Sequence, residues 1–137
     1  MLELIVNYIY ELKSFSLGVE MKKRGFCEFY KDLYWGASVN NKALVKWKLK
    51  HGAGQLSIFC VTRALNTSDQ LDIVHCAFLK QAYFKAHPSY IYGIATSHDE
   101  AVDLVLRISQ EASMAGMDGR LIDYLDSRAS INLQSLS

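Results

Sequence analysis

ALVKWKLK, residues 43–50, decides the fold reading, because it opens a run of alternating and apolar segments that ends at Thr96. Ala43, Val45, Trp47 and Leu49 occupy one side of a period-two pattern, and Lys46, Lys48 and Lys50 the other. Successive side chains leave opposite faces of a pleat, so this alternation predicts a half-buried strand. HGAGQ at 51–55 supplies two glycines for a reversal. LSIFCVTR at 56–63 is apolar on both faces and predicts a strand inside the sheet. NTSDQ at 66–70 is turn chemistry. LDIVHCAFLK at 71–80 fits a strand that completes a meander, although Leu71, Val74 and Phe78 would also align on a helix capped by Ser68. His87-Pro88 breaks the chain, and the aromatic, β-branched SYIYGIA at 89–95 reads as a further strand.

Upstream, residues 2–13 fit a helix or a strand nearly equally, with helix slightly favoured, and the alternating segment 15–21 fits a short strand. Lys22-Lys23-Arg24-Gly25 forms a basic turn. Phe26, Phe29, Tyr30, Leu33 and Tyr34 recur at helical spacing and predict an amphipathic helix ended by Gly36. Downstream, Ser97 and Glu100 have capping-box spacing. A helix follows to about Met114, with Ala101, Val102, Val105, Ile108 and Ala112 inward, Asp103 paired with Arg107, and Gly116 after its end. Asp118 then caps a second helix to about Arg128, with Leu121, Ile122, Leu125 and Ala129 inward. The expected fold is α+β: an antiparallel sheet of four to five strands, flanked by an N-terminal helical segment and two C-terminal helices, with helices on one face. Residues 1–129 form one domain and 130–137 a polar tail.

Composition narrows the class. The 137 residues are half hydrophobic and carry a net charge of +1, which supports a core and opposes global disorder. No run has the roughly 18–20 apolar residues of a membrane span. The first residues lack a secretory-signal pattern, and the three cysteines, Cys27, Cys60 and Cys76, have no short spacing. These features predict a cytoplasmic protein with reduced thiols, no membrane association, no metal and no cofactor. Charge is uneven: residues 1–65 hold ten Lys/Arg against five Asp/Glu, and residues 66–137 five against nine. Either the two halves attract each other within one domain, or the first half presents a basic face.

Catalytic motifs are not legible. His51, His75, His87 and His98 lack ligand-pair spacing, and the Ser97-His98-Asp99 run is a helix cap, since adjacent residues cannot adopt triad geometry. Cys60 or Cys76 with His75 is the one thiol–imidazole combination. The lysines of 43–50 stand out. A strand face with three lysines is either an aggregation-protected edge or a contact surface. With Arg63 and Lys80 it would form a basic patch for RNA phosphates or an acidic protein. Asp118, Asp123 and Asp126 offer the converse, an acidic surface for a basic partner. Residues 55–80, with LSIFCV and IVHCAFLK, resemble the sheet of RelE/HigB-type mRNA interferases, which implies metal-independent RNA cleavage by basic and histidine residues. The resemblance covers fewer than thirty residues, and the chain is longer and less basic than that family, so it is not taken as membership. The sequence therefore points away from an enzyme and toward a small interaction protein, of which an inhibitor or immunity protein masking a toxin or enzyme is the concrete form. A metal-independent RNA-binding protein or RNase is the alternative. Unpaired sheet edges allow a homodimer.

Overall fold

The computed structural model describes residues 27–52, 57–65, 69–81 and 83–135. The helix-or-strand over 2–13, the strand over 15–21 and the basic turn at 22–25 lie outside the described residues, as do residues 53–55 of the turn at 51–55 and residues 66–68 of the turn at 66–70. In chain order the elements are β1 (Cys27–Trp35), α1 (Lys42–His51), β2 (Phe59–Arg63), β3 (Leu71–His75), a 3-10 turn (Cys76–Lys80), α2 (Tyr83–Ala86), β4 (Ser89–Ala95), α3 (His98–Met114) and α4 (Leu121–Ser135). The class is α+β, as the sequence indicates. The four strands lie in the order β1-β4-β2-β3. β2 is antiparallel to β3 and β4, but β1 runs parallel to β4, so the sheet is mixed rather than antiparallel.

Two segments exchange the secondary structure expected of them. Residues 43–50 are helical, not a strand. Asn41 caps α1 by accepting from the Leu44 N–H at 3.3 Å, and Gly52 closes it in the left-handed region with φ 61°. Val45 and Leu49, one turn apart, are the buried pair, whereas Trp47, placed inward by the period-two pattern, is 53% exposed. Leu, Lys and Ala favour helix intrinsically, and the caps outweigh the alternation. Conversely, the helix expected from Phe26 to Tyr34 is not formed over its described part, where Cys27–Trp35 is β1. Cys27, Phe29, Leu33 and Trp35 pack with α1 on one side of the sheet, while Tyr30 and Tyr34 pack with α3 and α4 on the other. A strand apolar on both faces loses its period-two signature, and aromatic residues favour extended structure.

Helices therefore cover both faces, not one. On the α1 side Val39, Val45, Leu49, Ile58, Phe84, Ile91 and Ile94 form the core. On the α3/α4 side the core contains Val61, Tyr92, Ala101, Leu104, Ile108 and Leu125. β2 and β4 are interior strands, as their apolar sequences require. β3 is half the expected length, because the His75 ring Nδ1 accepts from the Ala77 N–H at 3.1 Å and turns the chain into the 3-10 segment.

α3 keeps its expected limits, whereas α4 starts and ends later than expected. Ser97 Oγ accepts from the Glu100 N–H at 3.1 Å, but Glu100 does not return to Ser97. Its carboxylate accepts from Thr96 N at 2.9 Å, Thr96 Oγ1 at 3.3 Å and Ser38 N at 3.2 Å, so it ties β4, α3 and the segment after β1 together. At the far end of α3, Gly116 takes φ 78° while Met117 N donates to Ala112 O and Gly116 N to Ser113 O, the paired bonds of a Schellman stop. Asp118 does not cap α4. Gln70, from the β2–β3 connection, accepts from Leu121 N at 2.6 Å and Ile122 N at 3.2 Å, and its amide donates to Gly119 O at 2.6 Å. α4 continues through Ser135, so most of the expected tail is helical.

Of Gly36, Gly93, Gly116 and Gly119, Gly36 leaves the least room for a side chain. A β-carbon there would fall on the Glu100 carboxylate, and the three hydrogen bonds above leave that group little freedom to move. Gly36→Ala is expected to lower stability by about 1–3 kcal/mol in urea denaturation, the scale of breaking a satisfied polar contact. In a Glu100→Ala background the penalty should largely vanish; purely additive losses would refute this link. These bonds also hold the Glu100 pKa below its ordinary 4.5, the Thr96 N–H contributing most. The stabilisation is therefore present above about pH 4.5 and lost as pH falls through the lower folded value, and Glu100→Gln should flatten that acid limb.

Candidate functional site

The sequence-predicted basic residues do not form one patch. On α1, where each residue turns about 100°, Lys46 and Lys50 share a shoulder with Lys42, whereas Lys48 lies well round the helix. Arg63 ends β2 opposite Leu71, and Lys80 lies beyond His75 at the other end of the β2–β3 pair. Arg63 also faces away from α1. Its Nε donates to Tyr92 Oη at 3.0 Å and its Nη2 to Asp126 Oδ1 at 3.0 Å. One member of the basic set is thus bonded to one member of the acidic set, and both side chains are about half exposed, which keeps the pair weak. Asp118 is in the turn before α4 and Asp123 in the first turn of α4, both exposed.

The thiol–imidazole combination is not assembled for attack. Cys60 is fully buried and its thiol is pushed up by burial; the Cys27 thiol is likewise pushed up to about 12. Cys76 Sγ is 4.0 Å from His75 Nδ1, the atom that already accepts from Ala77 N. His75 and His98 both meet the Phe59 ring edge-on, with centroids 5.1 and 5.9 Å away. Among the described residues, no three His, Cys, Asp or Glu side chains gather as a metal site would require, and no helix is long and apolar enough to cross a membrane.

What the fold does build is a cleft of about 790 Å³ around the outer edge of β1. β1 contributes Lys31, Asp32, Tyr34 and Trp35; α1 contributes Lys42 and Lys46; α3 contributes Arg107 and Glu111, one turn apart; α4 contributes Arg128. Tyr34 is its centre. Its hydroxyl donates to Glu111 Oε2 at 2.9 Å and accepts from Arg128 Nη1. The Arg107 and Arg128 guanidinium carbons each lie 5.4 Å from its ring centroid. Arg128 also reaches Asp32 at 3.8 Å. Burial, then the bond to Glu111, pushes the Tyr34 phenol well above its ordinary value, so it stays a proton donor. On the α1 side, Lys42 Nζ sits 5.3 Å from the Trp35 ring and Lys46 Nζ 5.2 Å from the Phe29 ring.

Sequence reasoning missed this cleft, apart from Lys46. Its parts come from four segments separated by up to about a hundred residues, and no local pattern links them. The one available signal was the helical i,i+4 pair Arg107/Glu111, hidden because Arg107 was assigned to Asp103. No protein-family model, curated protein or solved structure matches the chain.

Removing the Tyr34 hydroxyl tests the centre. Tyr34→Phe leaves the ring beneath both arginines but withdraws the donor from Glu111 and the acceptor from Arg128. A loss of about 1–2 kcal/mol in urea denaturation is expected, and no change would show that solvent replaces both bonds. Nearby, Tyr30 donates to Leu125 O at 2.8 Å, and burial pushes its phenol up to about 12. Its stabilisation is whole below the ordinary tyrosine value of 10 and is lost as pH climbs toward 12; Tyr30→Phe should remove that part of the alkaline transition.

Proposed function

We propose that this chain is a small non-catalytic interaction protein that docks an acidic protein surface through the outer face of α1, in the manner of an inhibitor masking its target. The observation that carries this is Trp47. Leu44, Trp47 and His51 recur at i, i+3 and i+7, and this face points away from the buried Val45 and Leu49. Trp47 is 53% exposed and Leu44 43%. The indole is not loose. It stacks on the His51 ring at 4.5 Å with 25° between the planes, and His51 Nδ1 donates to the Trp47 carbonyl at 2.8 Å. A large aromatic fixed before contact loses little entropy on binding, which favours it as an interface anchor.

Lys48 and Lys50 flank the stripe and select for acidity in the partner. The exposed aliphatic Leu44 favours a protein over RNA, because a nucleic acid offers phosphates and base faces but little that buries a leucine. The Asp118, Asp123 and Asp126 surface is the weaker alternative, since Asp126 already holds Arg63.

The test is capture from native lysate with and without RNase, followed by titration of the purified partner. A stoichiometric protein partner that survives RNase, binds at least about tenfold more weakly to Trp47→Ala, and loses affinity with salt is the expected result. Unchanged binding by Trp47→Ala would overturn the assignment of this face. Recovery of RNA that RNase removes would replace it with the RNA reading.

A further inference from the structure

The β1 cleft has a chemistry of its own, and it does not use the outer face of α1. Five cations line it, Lys31, Lys42, Lys46, Arg107 and Arg128, against the two carboxylates Asp32 and Glu111. That is a formal +3 in about 790 Å³, a volume within the roughly 300–1,000 Å³ of small-molecule sites. Typical small-molecule sites are lined mainly by apolar groups, and this lining is charged. Charge of one sign concentrated in a cleft focuses the field there and raises the local concentration of counter-ions.

Four of the five cations also lie against aromatic faces without a ligand. Arg107 and Arg128 rest on Tyr34, Lys42 on Trp35 and Lys46 on Phe29. A solvated surface lysine samples many rotamers; a cation seated on an aromatic face samples few. These contacts bias the cations toward the cleft before any anion arrives, which lowers part of the entropy lost on binding. The Arg107 guanidinium offers forked donors that match phosphoryl oxygens in pairs, Arg128 adds charge beside it while bonded to Tyr34 and Asp32, and Lys42 and Lys46 supply compact charge from the other side of the sheet edge. The carboxylates offset only part of this: Asp32 pairs with Arg128 at 3.8 Å and Glu111 accepts the Tyr34 hydroxyl, which leaves the formal +3.

We propose that this cleft is a binding site for a small ligand bearing linked phosphoryl groups, of the pyrophosphate or nucleoside polyphosphate class. A single carboxylate would balance one of three charges, whereas a diphosphate carries enough charge to balance all of them.

Isothermal titration of the full chain at low salt with pyrophosphate, ATP, adenosine and citrate tests it. One-to-one binding of pyrophosphate is expected, weakened at least about tenfold by Lys46→Gln and by Arg107→Gln. Arg120→Gln, in the turn before α4 and outside the cleft, should bind as the unmodified protein does. Tighter binding of ATP than of pyrophosphate, with adenosine silent, identifies a nucleotide; weaker binding of ATP identifies a free phosphoryl ligand. Should either variant fail to fold by circular dichroism, amide shift changes on adding pyrophosphate to the unaltered protein serve instead. Changes at 31–35, 42–46 and 107–111 support the site, and changes confined elsewhere overturn it. Absence of pyrophosphate and ATP binding, citrate binding as tight as pyrophosphate, or equal weakening by Arg120→Gln would each overturn the proposal. Because Trp47 is not in the cleft, a failed docking test leaves this outcome unaffected, and the reverse holds.

Discussion

β4 imposes the constraint on which the rest of the molecule depends. Ile91 through Ala95 are buried, so each backbone donor and acceptor there must be met by protein rather than water. β1 meets one side in parallel and β2 the other in antiparallel pairing. Both side-chain faces of β4 are also occupied: Ile91 and Ile94 join the core beneath α1, Tyr92 and Ala95 the core beneath α3 and α4. A strand surrounded in this way fixes where two layers of helix can lie. Among the described residues it also makes β1 an outer strand, whose register slips between Phe29 and Tyr34. An irregular edge with side chains leaving on both sides is a place where a cleft can wrap round a sheet instead of lying on it.

Tyrosines connect this frame to the helices. Tyr30, Tyr34 and Tyr92 are all nearly inaccessible, yet each has a hydroxyl that needs a partner. Tyr30 finds the Leu125 carbonyl on α4, Tyr92 finds Arg63, and Tyr34 finds Glu111 and Arg128. Burial of the rings supplies the hydrophobic contribution, and their polar ends decide where charged side chains must stand. Arg128 is in the cleft because a buried phenol needs it there. The same demand places Arg63 beside Tyr92, where it then meets Asp126, so the site and the core are not separable designs.

Legibility followed locality. β2 and β4 were readable because interior strands are short, apolar and bounded by turns, and α3 because Ser97, its periodic apolar stripe and Gly116 lie within one segment. α1 was misread because eight residues satisfy both periods: ALVKWKLK alternates, yet Val45 and Leu49 are also one helical turn apart. What decided it lay at the ends, in Asn41 and Gly52. β1 was misread for the opposite reason. Burial on both faces erases alternation, and the spaced aromatics then imitate a helix. With β1 taken for a helix, neither its parallel pairing nor the second helical layer could be derived. The cap on α4 was out of reach altogether, since Gln70 lies about fifty residues from the amides it accepts.

The uneven charge of the sequence bears on the cleft in a way that favours selection over accident. If the basic first half and acidic second half merely attracted one another, cations from 1–65 should meet carboxylates from 66–137, and Arg63 with Asp126 does so. The cleft breaks that pattern. Lys31, Lys42 and Lys46 come from the basic half, but Arg107 and Arg128 come from the half where carboxylates outnumber cations nine to five. Those two arginines converge on a buried ring in a cleft that also holds three lysines, while most of the acidic residues on α3 and α4 lie outside it. Bringing five like charges to one place costs electrostatic energy that the two carboxylates of the cleft recover only in part. Cation–π contacts of about 0.5–1 kcal/mol each at exposed positions offset part of that cost. The remainder is what an anion would relieve.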